Sequence, residues 1–227
     1  MTILLAIETS TEMASVALLS QTGLIYRELS GVKTHSQGIL PAIQEILTQE
    51  KMSLQDCNAI AFGCGPGAFT GVRTACGIVQ GLAFGADLPI LPVVSLHAMA
   101  QAAFEMHADT DFICVLDARM GEVYWAHYRY AKQEWQQISP PALALLEQAL
   151  AYADHHADVL ALGNGINSVT HERYKMVAVM PHAAQVAQLA MIDFSAGKQL
   201  LAELAQPLYL RNKIALTTAE RMQLKVV

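Results

Sequence analysis

Nothing in this chain is both long enough and apolar enough to span a bilayer. Of its 227 residues 53% are hydrophobic, yet the apolar runs are short and broken by Gly, Pro and charge. None reaches the roughly 18 residues that a membrane helix needs. Charge is scarce as well: 15% of residues carry it, with 14 Lys and Arg against 20 Asp and Glu, a net charge of −6 and no basic cluster. Affinity for nucleic acid comes largely from phosphate neutralisation, so this chain is poorly built to grip nucleic acid alone. Cysteine supplies neither staples nor a zinc site, because Cys57, Cys64, Cys76 and Cys114 are scattered without C-x-x-C spacing. Neither a basic leader nor a small-residue cleavage site accompanies Thr2-Ile3-Leu4-Leu5-Ala6-Ile7, so no secretion signal is read. These absences lead to the expectation of a soluble cytoplasmic protein without membrane contact, large enough for one domain or two small lobes.

The chain's own pattern begins with apolar, β-capable runs at residues 3 to 7, 14 to 19 and 24 to 29, which predict an antiparallel start. Thr34-His35-Ser36-Gln37 has the form of a capping box, and Ile39, Leu40, Ile43, Ile46 and Leu47 follow at helical spacing, with Pro41 expected to kink the helix or shift its start. A buried strand at 58 to 63, a helix at about 71 to 85, a strand within Leu88–Val94 and a helix to about 107 capped by Ser95 complete the order of a ribonuclease-H-like lobe. Phe112–Asp117, the turn Ala118–Gly121 and Glu122–Tyr128 repeat the opening strand, acidic turn and strand, which suggests a structural duplication. A helix at 143 to 152, a strand at 158 to 162, Gly163-Asn164-Gly165 and a helix near 182 to 194 make a shorter, less regular second half.

The densest signal is FGCGPGAFTGVRTACGIVQGLAFGA, residues 62 to 86. Gly65-Pro66-Gly67-Ala68-Phe69-Thr70-Gly71 lies between a strand and a helix, where free backbone N–H groups and the helix dipole favour an anion. It lacks the Lys of a P-loop and the third Gly of a dinucleotide fingerprint. The alternative is a tight turn that needs positive φ. On the helix that follows, Val72, Cys76, Val79 and Ala83 gather on one face, and Gly77, Gly81 and Gly85 form a smooth stripe opposite. Each internal Gly costs roughly 0.8 to 1.0 kcal/mol against Ala, and close helix–helix approach would offset that. Either another part of the chain lies over the stripe or another subunit does, and the layered architecture favours the subunit. Arg73, Ile78 and Phe84 flank the same surface.

Elsewhere the bland readings prevail. His97, Gln101 and Glu105 make an i, i+4, i+8 row that reads as a solvated face, since one soft ligand does not make a metal site. His155-His156 read as surface in a loop, and His35 as a local hydrogen-bonding residue. No G-x-S-x-G elbow is present and no Cys has a His partner in sequence. Glu8 and Asp117 each end a strand at a turn; they either hold Mg²⁺ through water in a shared cleft or serve ordinary turn chemistry.

Taken in order, Ile3-Leu4-Leu5-Ala6-Ile7-Glu8-Thr9-Ser10-Thr11, His35-Ser36-Gln37 with Leu40-Pro41, Gly65-Pro66-Gly67-Ala68-Phe69-Thr70-Gly71-Val72-Arg73, Asp117-Ala118-Arg119-Met120-Gly121-Glu122-Val123-Tyr124-Trp125 and Pro207-Leu208-Tyr209-Leu210-Arg211 resemble the successive signatures of the TsaB family, formerly YeaZ. The resemblance implies an actin-like fold of two ribonuclease-H-like lobes, with mixed sheets flanked by helices. It implies a non-catalytic subunit of the bacterial complex that installs threonylcarbamoyl on the adenosine following the anticodon of tRNAs reading ANN codons. Partners implied are the catalytic paralogue TsaD as heterodimer, the ATPase TsaE, and a second copy when the chain is alone, with tRNA met only through the complex. Family members pair through a bundle of their first two helices, here residues 36 to 50 and 71 to 85, which makes Arg73, Gly77, Ile78, Gly81, Phe84 and Gly85 the candidate partner interface. The metal-holding H-x-x-x-H of TsaD is matched by Ser95-Leu96-His97-Ala98-Met99-Ala100-Gln101, with one His and no second, so no metal and no catalytic residue are expected.

Glu8, Gly65, Gly67, Thr70 and Asp117 are the candidate cofactor residues. Glu8 stands where the family's first strand usually ends in Asp, and the extra methylene moves its carboxylate. No independently bound cofactor is therefore expected, with ATP or ADP admitted at the interface of the full complex. The division is set at 1–108 and 109–227, the final segment being a candidate to pack back on the first lobe. Two rival readings stand beside the scaffold: a stand-alone actin-like phosphotransferase or acyl transferase using Glu8, the 65–71 turn and Asp117 around ATP, and a metalloprotease, which the missing ligand pair undercuts.

Overall fold

Three apolar runs at the start of the chain pair in the computed structural model, which describes residues 2–29, 35–107, 109–156, 159–163, 166 and 175–211. They are β1 (Leu4–Glu8), β2 (Ala14–Ser20) and β3 (Gly23–Leu29), joined antiparallel with Ala6 opposite Ala17 and Val16 opposite Arg27. β4 (Ala59–Gly65) lies parallel to β1, and β5 (Ile90–Val94) parallel to β4, giving the order β3-β2-β1-β4-β5. β1 and β4 are buried along their whole length, as strands covered on both faces must be.

Alternation along these strands sorts the core into two layers. Leu5, Ile7, Ile60 and Phe62 face α1 (His35–Gln49) and α2 (Phe69–Ala86), meeting Ile39, Ile43, Ile46, Val79 and Ala83. Leu4, Ala6, Ala17, Ala59 and Ala61 face the other way, onto Ala183, Val186, Ala187 and Ala190 of a helix from near the chain's end. Alanine facing alanine lets that helix lie close to the sheet.

The second sheet is built from β6 (Asp111–Arg119), β7 (Glu122–Ala131), β8 (Glu134–Leu145), β9 (Val159–Leu162) and β10 (Lys175–Ala178), in the order β10-β9-β6-β7-β8. Its first three strands are antiparallel and the next two parallel, the same plan as the first sheet. The suspected duplication is therefore one of topology, and the fold is a pair of ribonuclease-H-like lobes in the actin-like manner. One face carries α3 (Ser95–Met106) through Phe112, Cys114 and Leu116. The opposite face carries α4 (Leu146–His156) through Ile113 and Val115.

Several expectations need correction. α1 begins at His35 and includes Pro41, so the proline does not shift its start, and Thr34 of the capping box lies outside the described residues. Ser95 does not cap α3; Val94 is the cap residue and Ser95 is the first helical one. β8 and β10 were not anticipated. Pro140 and Pro141 hide β8, an edge strand, and edges tolerate a missing N–H. His155 and His156 occupy the last turn of α4 and not a loop.

The cut near residue 108 divides the chain but not the molecule into separate units. α5 (Ala183–Ser195), sequentially in the second half, covers the first sheet, while α3 from the first half covers the second. Residues 200 to 208 return to the first lobe: Leu200 bridges Ile90, and Leu208 N–H donates to the Cys64 carbonyl at 2.7 Å.

Candidate functional site

The turn after β4 is closed by its own chain. Gly65 has φ +101°, the left-handed backbone that glycine permits. Gly67 and Gly71 answer a different need: a Cβ at Gly67 would stand 2.2 Å from the Ser10 carbonyl, and one at Gly71 1.9 Å from that of Thr9. Ala68 N–H donates to the Ser10 carbonyl at 2.6 Å, and Thr9 Oγ1 to the Gly71 carbonyl at 2.7 Å. Phe69, Thr70 and Gly71, expected in the turn, already belong to the first turn of α2.

Glu8 is fully buried. Its carboxylate accepts Ser10 N–H at 2.5 Å and the Ser95 hydroxyl at 2.9 Å, and it fills the space a Cβ on Gly63 would need. Burial pushes its pKa up, and the hydrogen bonds from Ser10, Ser95 and Thr9 oppose this only in part. Asp117 accepts Arg119 N–H at 2.7 Å and pairs with the same arginine's guanidinium at 3.1 Å. Asp117 is thus satisfied by its own turn, and Glu8 by its own turn together with Ser95 of α3. The actin-like fold implies a nucleotide with Mg²⁺, and these residues do not fit one: Glu8 is sealed, and the backbone of Thr9 and Ser10 occupies the approach to the 65–71 turn. Among the described residues no group of three or more His, Cys, Asp or Glu could hold a metal ion.

The row His97, Gln101, Glu105 is a solvated face only at its far end: Glu105 is exposed, whereas His97 and Gln101 are half-buried. His97 stacks on Tyr128 with ring centroids 4.6 Å apart and meets the edge of Trp135 at 5.3 Å. Desolvation pulls its pKa down to about 4. Gln101 accepts Trp135 Nε1–H at 2.8 Å and donates to Glu105, which also accepts from Gln185 of α5. The row is a seam joining α3, β8 and α5, and its burial is invisible in the sequence because the prolines of β8 disguise the strand that supplies Trp135. His35 reaches the Glu12 carbonyl at 3.2 Å, tying α1 to the loop after β1.

The outward side of α2 is bare. No atom beyond the helix itself lies within 4 Å of a Cβ built at Gly77, Gly81 or Gly85. Among the described residues, then, no part of the chain covers the stripe. Phe84 stands 81% exposed beside it, with Ile78 and Leu82 half-buried. Between α1 and α2 a cleft of about 420 Å³ opens, lined by Leu40, Ile43, Leu47, Met52, Leu54 and Leu82. At the N-terminal end of the face, Arg73 donates through Nε to the Tyr209 hydroxyl at 2.6 Å, and its guanidinium carbon lies 3.7 Å above the Phe69 ring. Phe69, Leu40 and Tyr209 join this surface without having been singled out for it. Leu40 was legible from the helical spacing of α1, whereas nothing local connects Tyr209 to Arg73 across 136 positions.

Comparison with known proteins bears on this geometry. Residues 18–225 match the family model described as TsaD: tRNA N6-adenosine threonylcarbamoyltransferase. The tRNA threonylcarbamoyladenosine biosynthesis protein TsaB of Haemophilus influenzae is 37% identical, covering 93% of this chain and 94% of its own length. That of Escherichia coli is 38% identical, covering 93% and 96%. The solved structure of YeaZ from Pseudomonas aeruginosa superposes with a TM-score of 0.83 at 37% identity, over 92% of this chain and all of that one.

Proposed function

The chain belongs to the TsaB (YeaZ) family of tRNA threonylcarbamoyladenosine biosynthesis proteins, and on that premise we propose that it serves as a non-catalytic scaffold of a cytoplasmic threonylcarbamoyl-transfer complex. It pairs with the catalytic paralogue TsaD through α1 and α2, and the pair recruits a TsaE-type ATPase. The modification falls on the adenosine following the anticodon of tRNAs reading ANN codons, and tRNA is met only through the complex. A second copy of the chain takes the same face when the paralogue is absent. No cofactor binds the chain alone, and ATP or ADP enters at the interface of the assembled complex.

The observation that carries this reading is the uncovered glycine stripe of α2. Glycine inside a helix destabilises it, and a run of three on one exposed face has no use to a chain that leaves them in solvent. Backbone-to-backbone approach of a partner helix is the use that requires it, and Phe84 with the neighbouring cleft adds apolar area to such a contact. Gly81→Leu should abolish co-purification with the TsaD paralogue while the circular dichroism of the isolated chain stays close to the parent's and its melting temperature does not fall. Intact complex formation by that variant refutes the scaffold reading.

A further inference from the structure

Arg73 is set apart from the other described arginines. Arg27 pairs with Glu45, Arg119 with Asp117, Arg129 with Asp111 and Arg211 with Glu122. No carboxylate among the described residues reaches Arg73, and α2 has no acidic residue in its first turn. Its side chain is nonetheless held in place: Nε is engaged by Tyr209, and the guanidinium lies over Phe69 and 5.5 Å from the Tyr209 ring centre. The two terminal nitrogens have no partner among the described residues. An arginine ordered in this way presents a planar fork that matches a carboxylate, and little side-chain freedom remains to be lost when one arrives.

Its position says where the carboxylate comes from. Arg73, Gly77, Gly81 and Phe84 follow one another at i, i+4, i+8 and i+11, all exposed. A helix lying along the stripe therefore passes over Arg73. We propose that Arg73 is the polar anchor of the docking face and receives an Asp or Glu side chain of the partner helix, a pairing that rests on the docking reading above. A nucleic-acid backbone fits less well. It is held by a run of cations, whereas here one uncompensated arginine stands on an acidic chain beside an apolar, side-chain-poor ridge. One local charge in such a setting selects register and partner more than it adds bulk attraction.

The test measures, by calorimetry, the affinity of the full chain for its TsaD paralogue. Arg73→Gln should weaken binding at least about tenfold, Arg73→Lys should weaken it less, and binding lost in Arg73→Glu should return when one acidic residue of the partner's docking helix is changed to Arg. Tyr209→Phe frees Nε and loosens the side chain but keeps the charge and both rings, so it should weaken binding less than Arg73→Gln does. Wild-type affinity in Arg73→Gln overturns the inference, and if Gly81→Leu still fails to bind, the docking reading survives it. Wild-type affinity in both variants removes the docking reading as well. Equal losses in Tyr209→Phe and Arg73→Gln would make Arg73 a mere prop for residues 207 to 211, and a loss of tRNA retention with unchanged pairing would make RNA the occupant. Each of those results overturns the proposal.

Discussion

His97 shows how a single ring can be read wrongly from its neighbours in sequence and rightly from its neighbours in space. Its i+4 and i+8 companions are polar, so it looks solvated; stacked on Tyr128 and edged by Trp135, it stays neutral to about pH 4 in the folded chain. An unfolded histidine titrates near 6.5. As pH falls from about 6.5 to about 4 the unfolded state takes up the proton first, so stability drains away over that window, by up to roughly 3 kcal/mol, and does not change further below it on this group's account. His97→Phe keeps a ring on Tyr128 and removes the titration. Between pH 7 and 4, parallel denaturation profiles for parent and variant would show that the ring is not buried as described. Glu8 carries the opposite lesson. That it ends a strand at a turn is visible in the sequence, but its sealing between Ser10, Ser95 and Gly63 depends on three segments that only the fold assembles.

α2 and the turn before it contain two kinds of glycine, and the element is understood once they are separated. Gly67 and Gly71 admit the backbone of Thr9 and Ser10, and a methyl group at either would have to displace a carbonyl. Gly77, Gly81 and Gly85 admit nothing among the described residues. Gly71→Ala should destabilise the chain by about 1–3 kcal/mol, the ordinary range for overpacking. Gly77→Ala should stabilise the isolated chain by about 0.8–1.0 kcal/mol through helix propensity, while weakening the partner complex. Urea denaturation of the two variants separates these expectations, and a Gly77→Ala chain less stable than the parent would mean that its own residues approach the stripe after all. The glycine stripe itself was legible from helical periodicity. The close contact at Gly67 and Gly71 was not, because its other half lies about sixty positions away.

At the scale of the molecule, residues 200 to 211 tie the two lobes together. Leu200 and Leu208 bind the first, and Arg211 reaches the second through Glu122 at 2.6 Å and the Ala118 carbonyl at 3.0 Å. α3 and α5 cross between the sheets in the same sense. An actin-like pair of lobes ordinarily works on a nucleotide, yet here the side chain nearest that role is fully buried and held by Ser10 and Ser95. Calorimetry of the isolated chain with Mg-ATP should therefore give no binding heat and no turnover. Micromolar binding with turnover would restore the stand-alone phosphotransferase or acyl transferase.

The sequence alone determined what is local: the strands and helices of the first lobe, the repeated strand–turn–strand that opens the second, and the apolar and glycine faces of α2. These follow from period-two and period-3.6 patterns and from glycine chemistry, which act over a few neighbouring residues. Tertiary structure alone decided the rest. It buried Glu8, drew α5 onto the sheet of the other lobe, brought Tyr209 to Arg73 and left the glycine stripe open. Those outcomes depend on which distant segments compete for the same surface, and a contact between residues far apart in the chain leaves no periodic trace in either one.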